Sequence, residues 1–232
     1  MPRTLLEIIQ DAAPRIGLSE PGLLFASTNA TEIEMRKVAN EVAERLIRAH
    51  DWSLLRTLRT TAGDGTTTAF DLPADYLRMP KDTQVWSTRW QRPLLAGTAE
   101  DILRLDIREY DLIVGIWAIY GGQMHVRPAL ALGESARFHY TSLNGIAPSS
   151  GADKARFTAD DDMFRLGDRL FELQFIWEWR RMKGLDYAED MATAEAALAQ
   201  AIGEDAGAMI LTQAPRRAAR AKIAYPWQIT PT

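Results

Sequence analysis

The chain has 232 residues, of which 47% are hydrophobic and 25% charged, as in an ordinary globular protein that can bury a sizeable core. It contains no cysteine, which fits a reducing compartment and excludes disulfides, a thiol nucleophile and the usual structural zinc sites. Its formal net charge of −4 argues against a protein that coats nucleic acid.

Two amphipathic helices are predicted at the start of the chain. Residues 4–7 and 31–34 both have the capping-box pattern, in which a Thr and a Glu three residues later satisfy each other's backbone N–H groups. Pro14 ends the first helix, and the second continues to about His50. Their apolar stripes are Leu5, Ile8, Ile9 and Ala12 in the first, and Met35, Val38, Val42, Leu46 and Ile47 in the second.

No stretch predicts a membrane span or a targeting segment. The apolar runs fall short of the ~18 residues that cross a bilayer, and residues 1–4 lead directly into the first helix. We therefore expect a cytosolic protein that carries no targeting signal.

From Trp52 the apolar period changes from 3.6 to 2, which indicates a β module. Two Thr-rich segments, residues 58–62 and 66–72, flank Gly-Asp-Gly at residues 63–65, and this predicts a β-hairpin. The Gly-Asp-Gly also resembles part of a phosphate loop, but no GK[ST] follows, so the hairpin is preferred.

The second half of the β module has a clearer hairpin signal at Gly121-Gly122, a two-residue loop between residues 112–120 and 123–127. The other predicted elements are strands at residues 83–90, 92–95 and 136–143 and a short helix capped by Thr98. In the last strand, Phe138 and Tyr140 should face away from Arg137 and His139.

The strongest helical pattern lies at residues 160–184. Asp160, Asp161 and Asp162 precede it and Gly184 follows it, so we predict an acidic N-terminal cap and a left-handed C-terminal glycine. A helix at residues 161–183 would be roughly 35 Å long at ~1.5 Å per residue. Apolar residues cover most of its circumference, so it must be enclosed on several sides, and another subunit is one candidate for covering part of it.

Residues 186–211 predict an alanine-rich return helix, antiparallel to the preceding one because the connection is short. Its stripe is Tyr187, Met191, Ala194, Leu198 and Ile202. Because helices and strands come in separate runs, the expected class is α+β, a helical bundle with an inserted antiparallel β module. We assign the bundle to residues 4–50 and 160–211, the β module to residues 54–148 and an extended arm to residues 212–232.

The C-terminal arm is basic, with Arg216, Arg217, Arg220 and Lys222 and no acid. An arm of charge +4 in a chain of net charge −4 leaves −8 for the rest, which predicts an acidic partner for the arm, such as a neighbouring copy. Tyr225 and Trp227 make the arm the best exposed candidate for partner binding. The alternative is a solvated tail.

Residues that could carry catalysis have ordinary interpretations. The three acids at residues 160–162 could bind a metal ion, but no Gly-spaced loop or second acidic cluster follows, so a helix cap is favoured. His50, His125 and His139 lack metal-ligand spacings and are interpreted as structural. Ser142 and Ser149 lack a GxSxG elbow.

Glu172 and Glu178 could be imagined as paired acids on the long helix. They are six residues apart and point in different directions, so ion pairs with Arg or Lys at helical spacing are favoured. No arrangement of nucleophile, base and orienting group emerges. We therefore predict a protein that is not an enzyme and holds no cofactor or metal.

Trp86 and Trp90 are candidates for a partner surface. Their even spacing predicts that they share one strand face, with Arg89 and Arg92 nearby. The other interpretation is that these tryptophans belong to the core.

In its order of elements the chain resembles the head-to-tail adaptor proteins of tailed bacteriophages, the group that includes tail tubular protein A. Three segments carry the resemblance: the N-terminal helix pair ending in HDWS at residues 50–53, LRTLRTTAGDGTTTAFDLPADYLRM in the β module, and FELQFIWEWRRMKGLDYAEDMATAEAAL in the C-terminal helix pair. The match spans roughly residues 4–211.

The resemblance implies a virion structural protein at the head–tail junction, made in the host cytoplasm. Such adaptors form a dodecameric ring beneath the portal protein, continue the DNA channel without sequence-specific binding, and offer a platform for the next tail or nozzle protein. The arm, with Arg216, Arg217, Arg220, Lys222, Tyr225 and Trp227, takes the place of the portal-docking segment. The β module faces the tail, which makes Trp86, Arg89 and Trp90 the expected tail-side surface.

Two alternatives stay open. One is a tail-associated hydrolase acting on cell wall or capsule polysaccharide. The other is a scaffolding or chaperone module that forms no ring.

Overall fold

The computed structural model describes residues 2–81, 83–107 and 114–205. Its helices are α1 (Leu5–Ala12), α2 (Ala30–Ala49), α3 (Ala99–Ile107), α4 (Asp168–Met182) and α5 (Ala188–Asp205), with 3-10 turns at Pro14–Ile16 and Ser53–Leu55. Its strands are β1 (Arg56–Ala62), β2 (Ala69–Asp71), β3 (Tyr76–Arg78), β4 (Trp86–Ser87), β5 (Arg92–Pro93), β6 (Leu95–Ala96), β7 (Ile116–Tyr120), β8 (Gln123–Arg127), β9 (Ser135–Ser142), β10 (Ile146–Ala147) and β11 (Met163–Phe164). The α+β class is confirmed, and the predicted arm lies outside the described residues.

The first two helices form where the sequence predicts them, but only one has the predicted cap. In α1 the Thr4 hydroxyl accepts a hydrogen bond from the Glu7 N–H, and the Glu7 carboxylate accepts one from the Thr4 N–H. The second predicted capping box is wrong. The side chain of Asn29 caps α2 by accepting from the Thr31 N–H, so Thr31 already lies inside the first turn.

Helix α4 is the centre of the first hydrophobic core. Its residues from Leu170 to Trp179 are all buried except Trp177, which is partly exposed. Helices α1 and α2 pack against it, and so does α5. One chain therefore encloses α4 without help from another subunit. The fully buried residues of this core include Leu5, Ile8, Ile9, Leu24, Met35, Leu46, Ile47, Leu55, Phe171 and Phe175.

The predicted start of the long helix is wrong. Helix α4 has 15 residues and begins at Asp168, after the short strand β11, so the acids at residues 160–162 do not cap it. Its N-cap residue is Gly167, which makes no side-chain cap. A run of acids looks the same in sequence whether its carboxylates bind a helix terminus or loop N–H groups.

The three acids instead fold the loop before β11. Asp160 accepts hydrogen bonds from the backbone N–H groups of Leu24 and Phe25, at 3.1 and 3.0 Å. Asp161 is exposed and accepts a hydrogen bond from a serine hydroxyl. Asp162 is fully buried, accepts from two backbone N–H groups at 2.7 and 2.9 Å, and has the ammonium of Lys154 at 2.7 Å from Oδ1. The loop is thus built around Asp162.

The other end of α4 follows the prediction. Gly184 has a φ of 69°, and its N–H donates to the carbonyl of Arg181 while the N–H of Leu185 donates to that of Arg180. This is the Schellman arrangement that glycine permits. The chain then returns as α5, which runs antiparallel to α4. Arg180 of α4 lies 2.9 Å from the carboxylate of Asp190 of α5.

The hairpin predicted around residues 63–65 is wrong. Strand β1 pairs antiparallel with β9, in a five-stranded sheet of order β1-β9-β4-β5 with β3 also on β9. Strand β2 pairs with β8 in a separate four-stranded sheet, of order β2-β8-β7-β6. Residues 63–65 therefore cross from one sheet to the other. Gly63 is required there because a Cβ would lie 2.5 Å from the backbone oxygens of Leu130 and Ala131.

The predicted hairpin at Gly121-Gly122 and the last predicted strand are confirmed, but the strands predicted at residues 83–90 and 92–95 are only the two-residue strands β4 and β5. Strands β7 and β8 form a hairpin around Gly121 and Gly122, whose positive φ values of 60° and 78° suit a two-residue turn. Strand β9 alternates between buried and exposed residues as predicted. Inward residues of the β strands and their loops form a second core: Val85, Leu94, Met124, Val126, Leu130, Ala136, Phe138 and Tyr140. The division into domains at residues 50, 54, 148 and 160 stays a prediction.

We predict that Asp162→Ala lowers the free energy of unfolding by about 3 kcal/mol, because it leaves two backbone N–H groups without an acceptor and the partly buried ammonium of Lys154 without its counter-ion. Asp161→Ala is the matched control and should cost less than about 0.5 kcal/mol, because its carboxylate is exposed. Urea unfolding followed by circular dichroism measures both. Equal losses would mean that the acids act as a group, as a helix cap would require.

Candidate interaction surface

The five-stranded sheet has one face on the second core and one open face. Successive side chains of a strand alternate, so Phe138 and Tyr140 of β9 point inward while Arg137 and His139 point out. The antiparallel register places Leu58 of β1 beside His139, and it places Thr60 and Trp86 on either side of Arg137. We call the outward residues of these strands the open face: Arg56, Leu58, Thr60, Trp86, Arg137 and His139.

The open face contains a cleft with a volume of about 400 Å³. Two large apolar side chains line this cleft: Leu58, with 54% of its surface exposed, and Trp86, with 46%. Arg56, Arg137 and His139 line the same cleft. A surface that combines exposed apolar side chains with cations is typical of a protein interface.

The charge of this sheet is one-sided. Its five strands contain Arg56, Arg59, Arg78, Arg92 and Arg137 and no Asp or Glu. Within the described residues, the guanidinium groups of Arg56 and Arg137 have no carboxylate partner, whereas Arg78 pairs with Asp51 at 2.5 Å. A basic face on a chain of net charge −4 is complementary to an acidic surface.

The predicted tail-side residues do not lie together on this face. Trp86 does, but β4 ends at Ser87, and Trp90 lies in the turn that follows. Trp90 is packed against the second core, with the guanidinium of Arg89 5.0 Å from its ring centre. The shared strand face was therefore a wrong prediction, because the strand is too short to reach Trp90. Whether Trp86, Arg89 and Trp90 meet the tail stays a prediction.

The remaining open-face residues were missed by sequence reasoning. The alternation in β9 correctly placed Arg137 and His139 together, but it could not say what stood beside them. Arg56 and Leu58 join them only because β1 pairs with β9, and the sequence predicted a different partner for β1.

The buried carboxylate of Glu172 is surrounded by arginines. It accepts hydrogen bonds from Arg15 at 2.8 Å, Arg169 at 3.0 Å and Arg3 at 3.1 Å. The bond from Arg169, three residues before Glu172, confirms the predicted pairing at helical spacing. Arg3 and Arg15 come from the N-terminal segment, which sequence spacing could not indicate. The three guanidinium groups occupy the carboxylate oxygens of Glu172, which is unlike a free acid or base.

Glu178 is held in the same way on another side of α4. Its buried carboxylate accepts from Arg45 of α2 at 2.5 Å and from Arg181. Burial raises the pKa of Glu178, but the hydrogen bonds from Arg181 and Arg45 outweigh it and leave the pKa below its ordinary value of 4.5. Arg45 also lies over the ring of Trp177, 4.7 Å from its centre. Glu178 therefore fixes α2 against α4.

His50, His125 and Ser142 also have structural partners, whereas His139 lies on the open face. His50 lies 3.3 Å from the Asp205 carboxylate, and His125 stacks on Tyr120 with ring centres 3.8 Å apart. The Ser142 hydroxyl donates to Asp75 at 2.6 Å.

Residues 2–81, 83–107 and 114–205 contain no group of three or more His, Asp or Glu side chains placed to hold a metal ion. Across those residues we also find no helix of the length and apolarity needed to span a bilayer.

The chain matches a known family along most of its length. The family model described as SU10 adaptor protein matches residues 3–224. The match confirms the resemblance to bacteriophage head-to-tail adaptors. No curated protein matches the chain.

The two tryptophans should respond differently to truncation. We expect Trp90→Ala to lower the free energy of unfolding by about 2 kcal/mol, because it removes a ring packed against the second core. Trp86→Ala should change it by less than about 0.5 kcal/mol, because its ring is half exposed. Thermal or urea unfolding checks both, and a comparable loss for Trp86→Ala would show that its ring is not free for a partner.

Glu178 should contribute to acid sensitivity. Its pKa is lower in the folded state, so its stabilisation is present above about pH 4.5 and is lost as the pH falls through the folded-state pKa. Glu178→Gln should therefore cost about 2 kcal/mol at pH 7 and make stability fall less steeply in acid. Urea midpoints from pH 3 to pH 7 measure this effect. The control is Glu44→Gln, a half-exposed partner of Arg48, for which the wild-type pH profile is expected.

Proposed function

We propose that this chain, which belongs to the SU10 adaptor protein family, is a structural protein of the virion that joins the portal to the tail. It assembles as a dodecameric ring beneath the portal protein, continues the DNA channel, and gives the next tail or nozzle protein a platform. The family match over residues 3–224 is the observation that carries this proposal. The assembly details are those that the resemblance to head-to-tail adaptors implies.

The pairing of buried carboxylates with arginines supports a structural role. Glu172 and Glu178 are the buried acids of the central helix, and both are neutralised by arginines from other elements. Each pairing holds two helices or segments in a fixed relation. This serves a subunit that must keep its shape while DNA passes.

The net charge suits a channel. With the arm set aside, the chain carries −8 at neutral pH, and DNA phosphates are repelled by carboxylates. DNA can therefore slide past such a body without specific binding.

The C-terminal arm is proposed to dock on the portal. Its candidate contacts are Arg216, Arg217, Arg220, Lys222, Tyr225 and Trp227. The arm follows α5, whose last residue, Asp205, accepts hydrogen bonds from the Ser53 backbone N–H at 3.0 Å and from its hydroxyl at 2.5 Å. The chain therefore leaves the described fold from an anchored position. The opposite attachment, to the tail, is proposed for the β module at Arg89 and Trp90, and also at Trp86 where that side chain is not covered by a neighbouring copy.

We predict that deleting residues 212–232 abolishes binding to the phage's portal protein while the melting temperature stays that of the full chain. The residues of the two described cores all lie at or before Ile202, so the deletion leaves every one of them in place. Mixing each protein with portal rings, followed by negative-stain imaging, measures binding and counts the copies around the axis. The full chain should form a closed ring on the portal.

The matched control keeps the arm's length and replaces its four basic residues by Gln. Loss of binding in this variant assigns docking to charge, and retained binding assigns it to Tyr225 and Trp227. Undiminished binding by the deletion variant would overturn the role of the arm. Hydrolysis of peptidoglycan or capsule polysaccharide by the pure protein would favour the hydrolase alternative.

A further inference from the structure

The open face of the five-stranded sheet has the charge and the exposed apolar side chains of a surface that another element could cover. It presents large apolar side chains, Leu58 and Trp86, between cations that have no carboxylate partner within the described residues. A layer of helix packed on the free face of a sheet is a standard way to bury such a surface. The occupant should be an acidic helix with room for large side chains.

Helix α5 has these properties on its outward side. From Asp186 to Asp205 the chain has six acids and no Lys or Arg. The outward side exposes a row of small residues at helical spacing. Glu189 and Glu195 flank the row, and their carboxylates have no partner within the described residues. The row consists of Ala188, Ala192, Ala196, Ala199 and Gly203. Small side chains let a helix approach a surface closely, and large side chains from that surface can fill the space between its ridges.

The dimensions of the two surfaces agree. Helix α5 has 18 residues and is about 27 Å long at ~1.5 Å per residue. Strand β9 has 8 residues and spans about 27 Å at ~3.4 Å per residue. The helix can thus lie along the strand and contact its exposed outward residues, Arg137 and His139, whereas Thr141 near the end of the strand is buried.

The two surfaces cannot meet within one chain. The opposite side of α5 is fixed on α4 by the hydrogen bond from Gln174 to the Ala194 carbonyl, at 3.0 Å, and by the Arg180–Asp190 ion pair. Its small-residue row therefore points away from the bundle. The α5 that covers an open face must come from another molecule.

We propose that the open face of one copy binds the outward side of α5 from a second copy, with Arg137 and Arg56 against the acids of α5 and with Leu58 and Trp86 on its small-residue row. The contact joins two different surfaces of the same chain, so it repeats by rotation and can close into a ring. The proposal deepens the ring assembly proposed above and rests on it. It names the subunit interface.

Because the chain has no cysteine, single cysteines can report the contact. Thr60→Cys lies on the open face, and Ala196→Cys lies in the middle of the small-residue row. We expect a mixture of the two variants, assembled on portal rings, to give a covalent dimer with a short bis-maleimide. Each variant alone should give none. The matched control replaces Thr60→Cys by Ser19→Cys, an exposed position in the loop after α1, and should give no dimer with Ala196→Cys.

Charge reversal tests the same contact without cross-linking. Arg137→Glu should weaken association about tenfold or more, because it sets a carboxylate against Glu195. Adding Glu195→Arg in the same chain should restore it. Lys37→Glu, the same charge change at an exposed position of α2, should leave association unchanged.

The outcomes separate this contact from the proposed function. Rings that form on the portal without the Thr60–Ala196 cross-link, and that are indifferent to Arg137→Glu, would overturn the contact and leave the adaptor role standing. The cross-link formed by copies that never close into a ring would support the contact and overturn the ring. Protection of the cysteine at position 60 by duplex DNA alone would assign the open face to nucleic acid and overturn the proposal.

Discussion

The structure depends on how buried charge is matched around α4. A carboxylate taken out of water is costly unless cations and hydrogen bonds replace its hydration. Glu172 and Glu178 meet this requirement with arginines from far along the chain, Arg3 and Arg15 for the first and Arg45 for the second. An apolar contact tolerates small sliding, but a bidentate or multiple ion pair has one good geometry. The pairs therefore set the positions of the N-terminal segment and α2 against α4.

The same requirement organises the junction between the bundle and the strands. Asp162 is buried and gathers two backbone N–H groups and Lys154, which shapes the loop before β11. Asp51 at the end of α2 pairs with Arg78 of β3, and Asp205 at the end of α5 holds Ser53 just before β1. The C-terminal ends of α2 and α5 are thus connected by an ion pair and by hydrogen bonds to the first part of the β module. These contacts connect the helical bundle to the β strands.

The pairing of charges differs between the helical bundle and the surface that remains for partners. In the bundle Arg3, Arg15 and Arg45 have carboxylate partners, whereas on the open face Arg56 and Arg137 stand beside Leu58 and Trp86 without one within the described residues. An unpaired cation at a surface costs little, because water solvates it, and it steers an acidic partner into place. A member of an adaptor family contacts other proteins of the phage, and the surfaces that we propose for those contacts are this face and the basic arm.

The sequence by itself determined what depends on near neighbours in the chain. The capping box of α1, the apolar stripes of the first two helices, the Gly121-Gly122 hairpin and the left-handed Gly184 are local, and all are present in the structure. Only the tertiary structure decided which segments meet. The acids at residues 160–162 bind loop N–H groups and a lysine, and β1 pairs with β9 across most of the β module, because long-range burial outweighs local propensity there. The open face results from that pairing, since no local pattern brings Leu58, Trp86 and Arg137 together.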